Sequence, residues 1–217
     1  LTLVGFGTST PELVSSLEAA FEGSPGIAIG NVVGSNITNI LLILGLSAAI
    51  SPFVVENRAL RRDGAVVFVA TIAAIGVSLT GEFSRLAGLI FVGALVCYIV
   101  YAFISERGAA DGADDAGKHG PQNLALDIAL IVAGFGLLIF GAKLLVGGAI
   151  HIAEALGVSE TVVGLTVVAI GTSLPELATS IAAALRGKSG LALGNVLGSN
   201  IYNLFGILGV TAAIHPI

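Results

Sequence analysis

Polar residues are sparse in this chain and fall into two kinds of place. Charged residues gather between long apolar runs, whereas Ser, Thr, Asn and a few Glu recur inside the runs. A helix needs about 20 predominantly apolar residues to cross a bilayer. Seven segments qualify: residues 1–21, 27–50, 64–80, 84–104, 123–148, 159–185 and 190–214. The first, second, sixth and seventh are rich in Gly, Ser, Thr and Asn. The third, fourth and fifth carry almost nothing polar and read as scaffold facing lipid or other helices. The pattern predicts an all-α, polytopic membrane protein.

The order of polar residues occurs twice. Residues 1–53 align without a gap onto 165–217 at a constant shift of 164, with about thirty positions identical. Gly7-Thr8-Ser9-Thr10-Pro11-Glu12 returns as Gly171-Thr172-Ser173-Leu174-Pro175-Glu176. Gly30-Asn31-Val32-Val33-Gly34-Ser35-Asn36-Ile37-Thr38-Asn39 returns as Gly194-Asn195-Val196-Leu197-Gly198-Ser199-Asn200-Ile201-Tyr202-Asn203. Five crossings separate the first segment from the sixth, and an odd number sets the two copies in opposite directions across the membrane. An inverted repeat is therefore expected, with residues 1–104 as the first repeat, 105–121 as a polar linker and 122–217 as the second. Arg58, Arg61, Arg62, Arg107, Lys118, Arg186 and Lys188 fall on one side and Arg85 on the other, which makes the basic side cytoplasmic. The acidic linker is then cytoplasmic, and Tyr98 and Tyr101 fall at the inner interface. The expected location is the cell (plasma or inner) membrane, as a multi-pass protein.

Composition agrees and narrows the class. Hydrophobic residues make up 55% and charged residues 11%, with a mean hydropathy of +1.01. A soluble domain carries about 25% charged residues. The 30 glycines suit close helix packing in lipid. The net charge of −5 says little about partners, because most charges lie in loops. No nucleic-acid or obligatory protein partner is expected. The single Cys97 excludes an internal disulfide and reads as ordinary packing. An EF-hand in the linker would need Asp or Asn at Ala113 and a Glu at the twelfth position of the loop, so 105–121 reads as a solvated linker. Opening within an apolar run and lacking methionine, the chain reads as part of a longer transporter.

The repeated polar residues carry the chemistry. Pro11 lacks an N–H, so it kinks the helix and frees carbonyls near Gly7 and Thr8. Ser9 and Glu12 are three apart and share a face. Ser35 and Asn39, like Ser199 and Asn203, stack at i and i+4. The inventory is all oxygen: two carboxylates, hydroxyls, amides and loose carbonyls. Hard cations such as Ca²⁺ take such shells, whereas soft metals want His or Cys. The three histidines (His119, His151, His215) are expected in loops or at helix ends. Inverted symmetry brings Glu12 and Glu176 together, where their charges balance one Ca²⁺. Bare carboxylates in low dielectric would instead hold a proton or admit Na⁺, a physical basis for antiport. An isolated Ser would more often be structural, but intramembrane Glu residues duplicated with their surroundings read as functional. Asn31, Asn36, Asn195 and Asn200 read as hydrogen bonds between helices. Glu18 and Glu22 read as a solvated face, and Lys143 as a snorkelling or locally paired residue.

The G-T-S-x-P-E and G-N-x-x-G-S-N-x-x-N segments, each present twice, resemble the two α-repeats of the cation/calcium exchanger superfamily, with closest similarity to prokaryotic sodium/calcium antiporters. The resemblance covers essentially the whole chain. It implies two inverted five-helix repeats, ten spans in all, of which the seven segments resemble helices two to eight. The family binds Ca²⁺ and Na⁺ in alternation at the membrane centre. Carried over, Thr8, Ser9, Glu12, Ser35 and Asn39 resemble the first repeat's ligands, and Thr172, Ser173, Glu176, Ser199 and Asn203 those of the second. Gly5 and Ala169 stand where the family uses backbone carbonyls. Several members carry Asp at the position of Asn203, so the Asn39/Asn203 pair bears one titratable group fewer, which bears on the number of ions bound. The short linker lacks the large regulatory domain of animal exchangers.

The implied function is secondary antiport of Ca²⁺ against Na⁺ by alternating access around Glu12 and Glu176, with the ions as substrates, the bilayer as surroundings and no cofactor. Exchange of Ca²⁺ or another cation for H⁺ is the nearer alternative. An intramembrane hydrolase using Ser9 or Ser173 would need a base close by, and no His lies within a span, so no enzyme is expected. A channel fits poorly with two buried carboxylates in a discontinuous inverted site.

Overall fold

The computed structural model describes residues 6–52, 57–106 and 124–217, which are helical almost throughout. α1 (Thr10–Phe21) leads into α2 (Pro25–Ile50), followed by α3 (Asn57–Ser78), α4 (Arg85–Glu106) and α5 (Leu124–Leu156). α6 (Glu160–Thr172) and α7 (Leu174–Leu185) form one path bent by 48°, and α8 (Gly190–Ile214) ends the described chain. All seven expected segments are thus helical over their described residues. Most of the linker, together with Gly5 and His119, lies outside the described residues.

Among the described residues four helices are long and apolar enough to cross a membrane, and the bent α6–α7 path makes a fifth. α1 is described over 12 residues. α3 begins at Asn57 rather than at 64, so it includes Arg58, Arg61, Arg62 and Asp63. Arg, Leu and Ala are good helix formers, so the backbone stays helical beyond the apolar stretch. α5 has 33 residues, about 50 Å of helix against about 30 Å of hydrocarbon. It therefore overshoots the expected end at 148, and His151 lies inside it rather than at its end.

α3 and α4 behave as scaffold. They expose Phe68, Ile72, Ile75, Leu86, Leu89 and Ile90 on their outer faces, and Cys97, expected to pack, is exposed as well. α4 meets α8 where Gly88 faces Gly209, beside edge-to-face pairs of Phe91 with Phe83 at 6.0 Å and with Phe205 at 5.6 Å.

The four helices of the duplicated segments form the centre. Their two hairpin turns use equivalent glycines at positive φ, Gly23 at 74° and Gly187 at 68°, a region that glycine enters at little steric cost. α2 lies against α6 with almost no side chain between them. A Cβ on Gly30 would sit 2.7 Å from Thr161 O, and one on Gly164 2.8 Å from Ile27 O. Gly34 would collide with Leu165 O. This seam sets backbone beside backbone and brings the polar stretches of the two repeats together.

Candidate functional site

Each repeat breaks its helix at a serine. Ser9 (φ −85°, ψ 12°) and Ser173 (φ −82°, ψ 5°) leave the helical region just before α1 and α7. Pro11 and Pro175 follow in the first helical turn, where a missing N–H costs little. Glu12 and Glu176 then fall in those first turns, where the helix dipole favours negative charge. In the first copy the Thr10 hydroxyl donates to Gly7 O at 3.0 Å. The second copy has Leu174 there, with no hydroxyl to offer.

The two breaks face one another. The Ser9 hydroxyl donates to Glu176 Oε1 at 2.7 Å, and the Ser173 hydroxyl donates to Glu12 Oε1 at 3.0 Å. Replacing each residue of the first bond by its counterpart 164 positions away, Ser9 by Ser173 and Glu176 by Glu12, yields the second. Two further bonds recur in both copies, the first within each repeat and the second across the two. Asn31 donates to Ser16 Oγ at 2.9 Å and Asn195 to Ser180 Oγ at 3.0 Å. Asn39 donates to Asn200 Oδ1 at 2.9 Å and Asn203 to Asn36 Oδ1 at 3.0 Å. Repeats related by a two-fold axis through the site produce such reciprocal bonds, and the axis passes between the two glutamates.

The symmetry fails at Asn31. Asn31 also donates to Glu12 O at 3.1 Å and accepts from the Thr172 hydroxyl at 3.0 Å. Its counterpart Asn195 keeps a buried Oδ1 without a partner.

Both glutamates are completely buried, and neither forms an ion pair among the described residues. Lys143, expected to snorkel or pair locally, lies 3.9 Å from Glu18 and is 63% exposed. Glu18, expected on a solvated face, is only 16% exposed. Buried carboxylates without a partner are costly, yet Glu12 Oε2 and Glu176 Oε2 have no hydrogen-bond partner. Ser35 Oγ, Asn39 Oδ1 and Asn203 Oδ1 are likewise buried and unpartnered. Five oxygens from four helices thus lack a donor, all on residues buried where the two repeats meet. Such a set suits a hard cation. Among the described residues no cluster of His, Cys, Asp or Glu suits a softer metal.

Of the expected ligands, Ser9, Glu12, Ser35, Asn39, Thr172, Ser173, Glu176, Ser199 and Asn203 are all buried in this centre, and Thr8 is half-buried beside it. The Ala169 carbonyl already accepts from the Ser173 N–H at 3.1 Å and from the Thr172 hydroxyl at 3.3 Å. The other four asparagines do bridge helices, as their sequence context suggested, and Asn31, Asn36 and Asn200 touch site residues directly. Ser16 and Ser180 were missed. Their signal was present, since both copies keep Ser four residues after the glutamate.

A family model described as sodium/calcium exchanger protein matches residues 1–104 and 126–217. The sodium/calcium exchanger MaX1 of Methanosarcina acetivorans is 36% identical over 255 residues, covering 100% of this chain and 73% of that protein. The inner membrane protein YrbG of Escherichia coli K12 is 36% identical over 223 residues, covering 100% and 69%. Among solved structures, the sodium-calcium exchanger NCX_Mj soaked with 10 mM Na⁺ and 10 mM Sr²⁺ superposes with a TM-score of 0.68 at 36% identity, covering 99% of this chain and 69% of that one.

Proposed function

Because the chain belongs to the sodium/calcium exchanger family, an integral membrane family of cation exchangers, we propose that it carries the Ca²⁺/Na⁺ antiport site and that Glu12 and Glu176 hold the ions. One observation carries this reading: two fully buried glutamates, each steadied by the other repeat's serine through Oε1, keep Oε2 unpartnered. Two carboxylates balance one Ca²⁺. When Ca²⁺ leaves, Na⁺ ions are the charge-compatible replacement, since an empty site would strand two negative charges away from water. Either ion set neutralises the site and lets the helices move past it, whereas the empty site resists the change. That coupling makes an exchanger rather than a leak. Ser35, Asn39 and Asn203 complete the oxygen shell, with Ser9, Ser173, Thr8, Thr172 and Ser199 around it. Gly5 and Ala169 supply carbonyl oxygens as the helices shift. The cytoplasmic side is the basic one, and residues 105–121 lie on it.

The test is radioactive Ca²⁺ uptake into Na⁺-loaded proteoliposomes on dilution into Na⁺-free buffer, with a parallel pH-gradient control. Uptake that requires internal Na⁺ is expected, and Glu176→Gln abolishes it while the protein still folds. Uptake driven by the pH gradient alone would assign proton coupling instead. Wild-type rates in Glu176→Gln would remove the glutamate pair from the mechanism.

A further inference from the structure

Two buried hydroxyls outside the ligand set occupy equivalent places, Ser47 in α2 and Thr211 in α8, related by the same shift of 164. Both are 0% exposed, and neither hydroxyl has a hydrogen-bond partner. That is unusual for helical Ser and Thr, which commonly donate to the carbonyl one turn back. Here Thr71, Ser78, Thr166 and Thr179 all do so, at 2.7–2.9 Å. In the turn Gly45–Ile50, Ser47 is the one buried residue, so the sole side chain hidden there is a polar one left unsatisfied.

Helix register explains where these hydroxyls point. In a regular α-helix eight residues advance 800°, which would turn Ser47 about 80° away from the face of Asn39. The helix is not regular there, because Asn39–Leu44 is a π-helical stretch. One π-bulge absorbs a residue without advancing the register, which returns Ser47 to within about 20° of Asn39. Tyr202–Ile207 is π-helical as well, and it aligns Thr211 with Asn203 in the same way. Ser35, Asn39 and Ser47 therefore form one polar stripe, and Ser199, Asn203 and Thr211 form another. The end of α2 packs against α7, whose first turn carries Glu176, and the end of α8 packs against α1, whose first turn carries Glu12. Each hydroxyl lies about 12 Å along its helix from the site asparagine. α2 and α8 run in opposite directions, so the two hydroxyls lie on opposite sides of the centre.

We infer that Ser47 and Thr211 are transit ligands, one on each side of the central site, that replace part of a cation's water shell as it passes between the site and one face of the membrane. This rests on the exchange reading above. A neutral hydroxyl is a hard oxygen ligand that binds without trapping, as an ion path requires.

Ser47→Ala and Thr211→Val remove the hydroxyls, whereas Ser47→Thr and Thr211→Ser keep them. The full chain in oriented proteoliposomes reports initial exchange rates at varied Na⁺ on each face, and Ca²⁺ binding at equilibrium is measured in detergent. The expected result is a rate lowered about 3–10-fold, with Ca²⁺ binding changed by less than about 2-fold. Apparent Na⁺ affinity weakens at one face for Ser47→Ala and at the opposite face for Thr211→Val, and the hydroxyl-keeping variants recover both. Unchanged rates in a more heat-stable protein would show idle hydroxyls and overturn the inference alone. So would equal losses at both faces together with lost Ca²⁺ binding. A wild type that takes up no Ca²⁺ under a Na⁺ gradient would overturn the exchange reading and this inference with it.

Discussion

Gly30→Ala tests whether the glycine seam sets the geometry of the site. The new Cβ would lie 2.7 Å from Thr161 O, 2.9 Å from Leu165 N and 3.0 Å from Gly164 Cα. All three are backbone atoms, so no side chain can swing aside. Restoring ordinary contact at 3.4 Å separates α2 from α6 by about 0.7 Å, an overpacking strain that costs about 1–3 kcal/mol. The neighbouring residue is Asn31, whose Oδ1 accepts from Thr172 at 3.0 Å. A similar displacement carries that bond beyond about 3.5 Å, outside hydrogen-bond range, and adds about 1 kcal/mol. The expected total loss of stability is about 2–4 kcal/mol, with Na⁺-driven Ca²⁺ uptake largely lost. Gly45→Ala is the control: it lies on the same helix, and its Cβ would meet nothing within 4 Å. It should stay within about 0.5 kcal/mol of wild type. Thermal unfolding in detergent and vesicle uptake read the two effects separately. If Gly30→Ala matches Gly45→Ala in both, the seam does not hold the site.

Further outcomes follow from single contacts. Asn31→Ala should destabilise more than Asn195→Ala by about 1–2 kcal/mol, because Asn31 bonds Ser16, Glu12 O and Thr172 whereas Asn195 bonds Ser180; equal melting shifts would contradict the observed asymmetry. Ser173→Ala removes the donor to Glu12 Oε1 and should weaken equilibrium Ca²⁺ binding about 10-fold, since a hydrogen bond to a charged group contributes about 1.5–3 kcal/mol; a Ca²⁺ titration checks it. Lys143→Ala should change stability by less than about 1 kcal/mol and leave exchange near wild type, since Lys143 is largely exposed and its contact with Glu18 is long; a large loss would give Lys143 a role that its surroundings do not suggest.

The sequence by itself determined the class, the inverted duplication and the polar residues that gather at the candidate site. Hydrocarbon tolerates few polar groups, so Glu12, Ser35, Asn39 and their copies stand out against an apolar background without any structure. Duplication then doubled the signal, and an odd number of crossings made the repeats inverted. Helix ends were less legible, because 57–63 and 149–156 extend beyond the apolar stretches that marked α3 and α5, and helix propensity does not stop where hydropathy does. Only the tertiary structure decided which oxygens meet. That Ser9 serves Glu176 rather than its own Glu12, that Asn31 is fully engaged while Asn195 is not, and that Gly30 faces Gly164 all depend on how separate helices dock. The π-helical turns after Asn39 and Tyr202 were equally invisible. Spacing rules assume 3.6 residues per turn, so one added residue moves Ser47 and Thr211 onto a face that sequence reading assigned to neither.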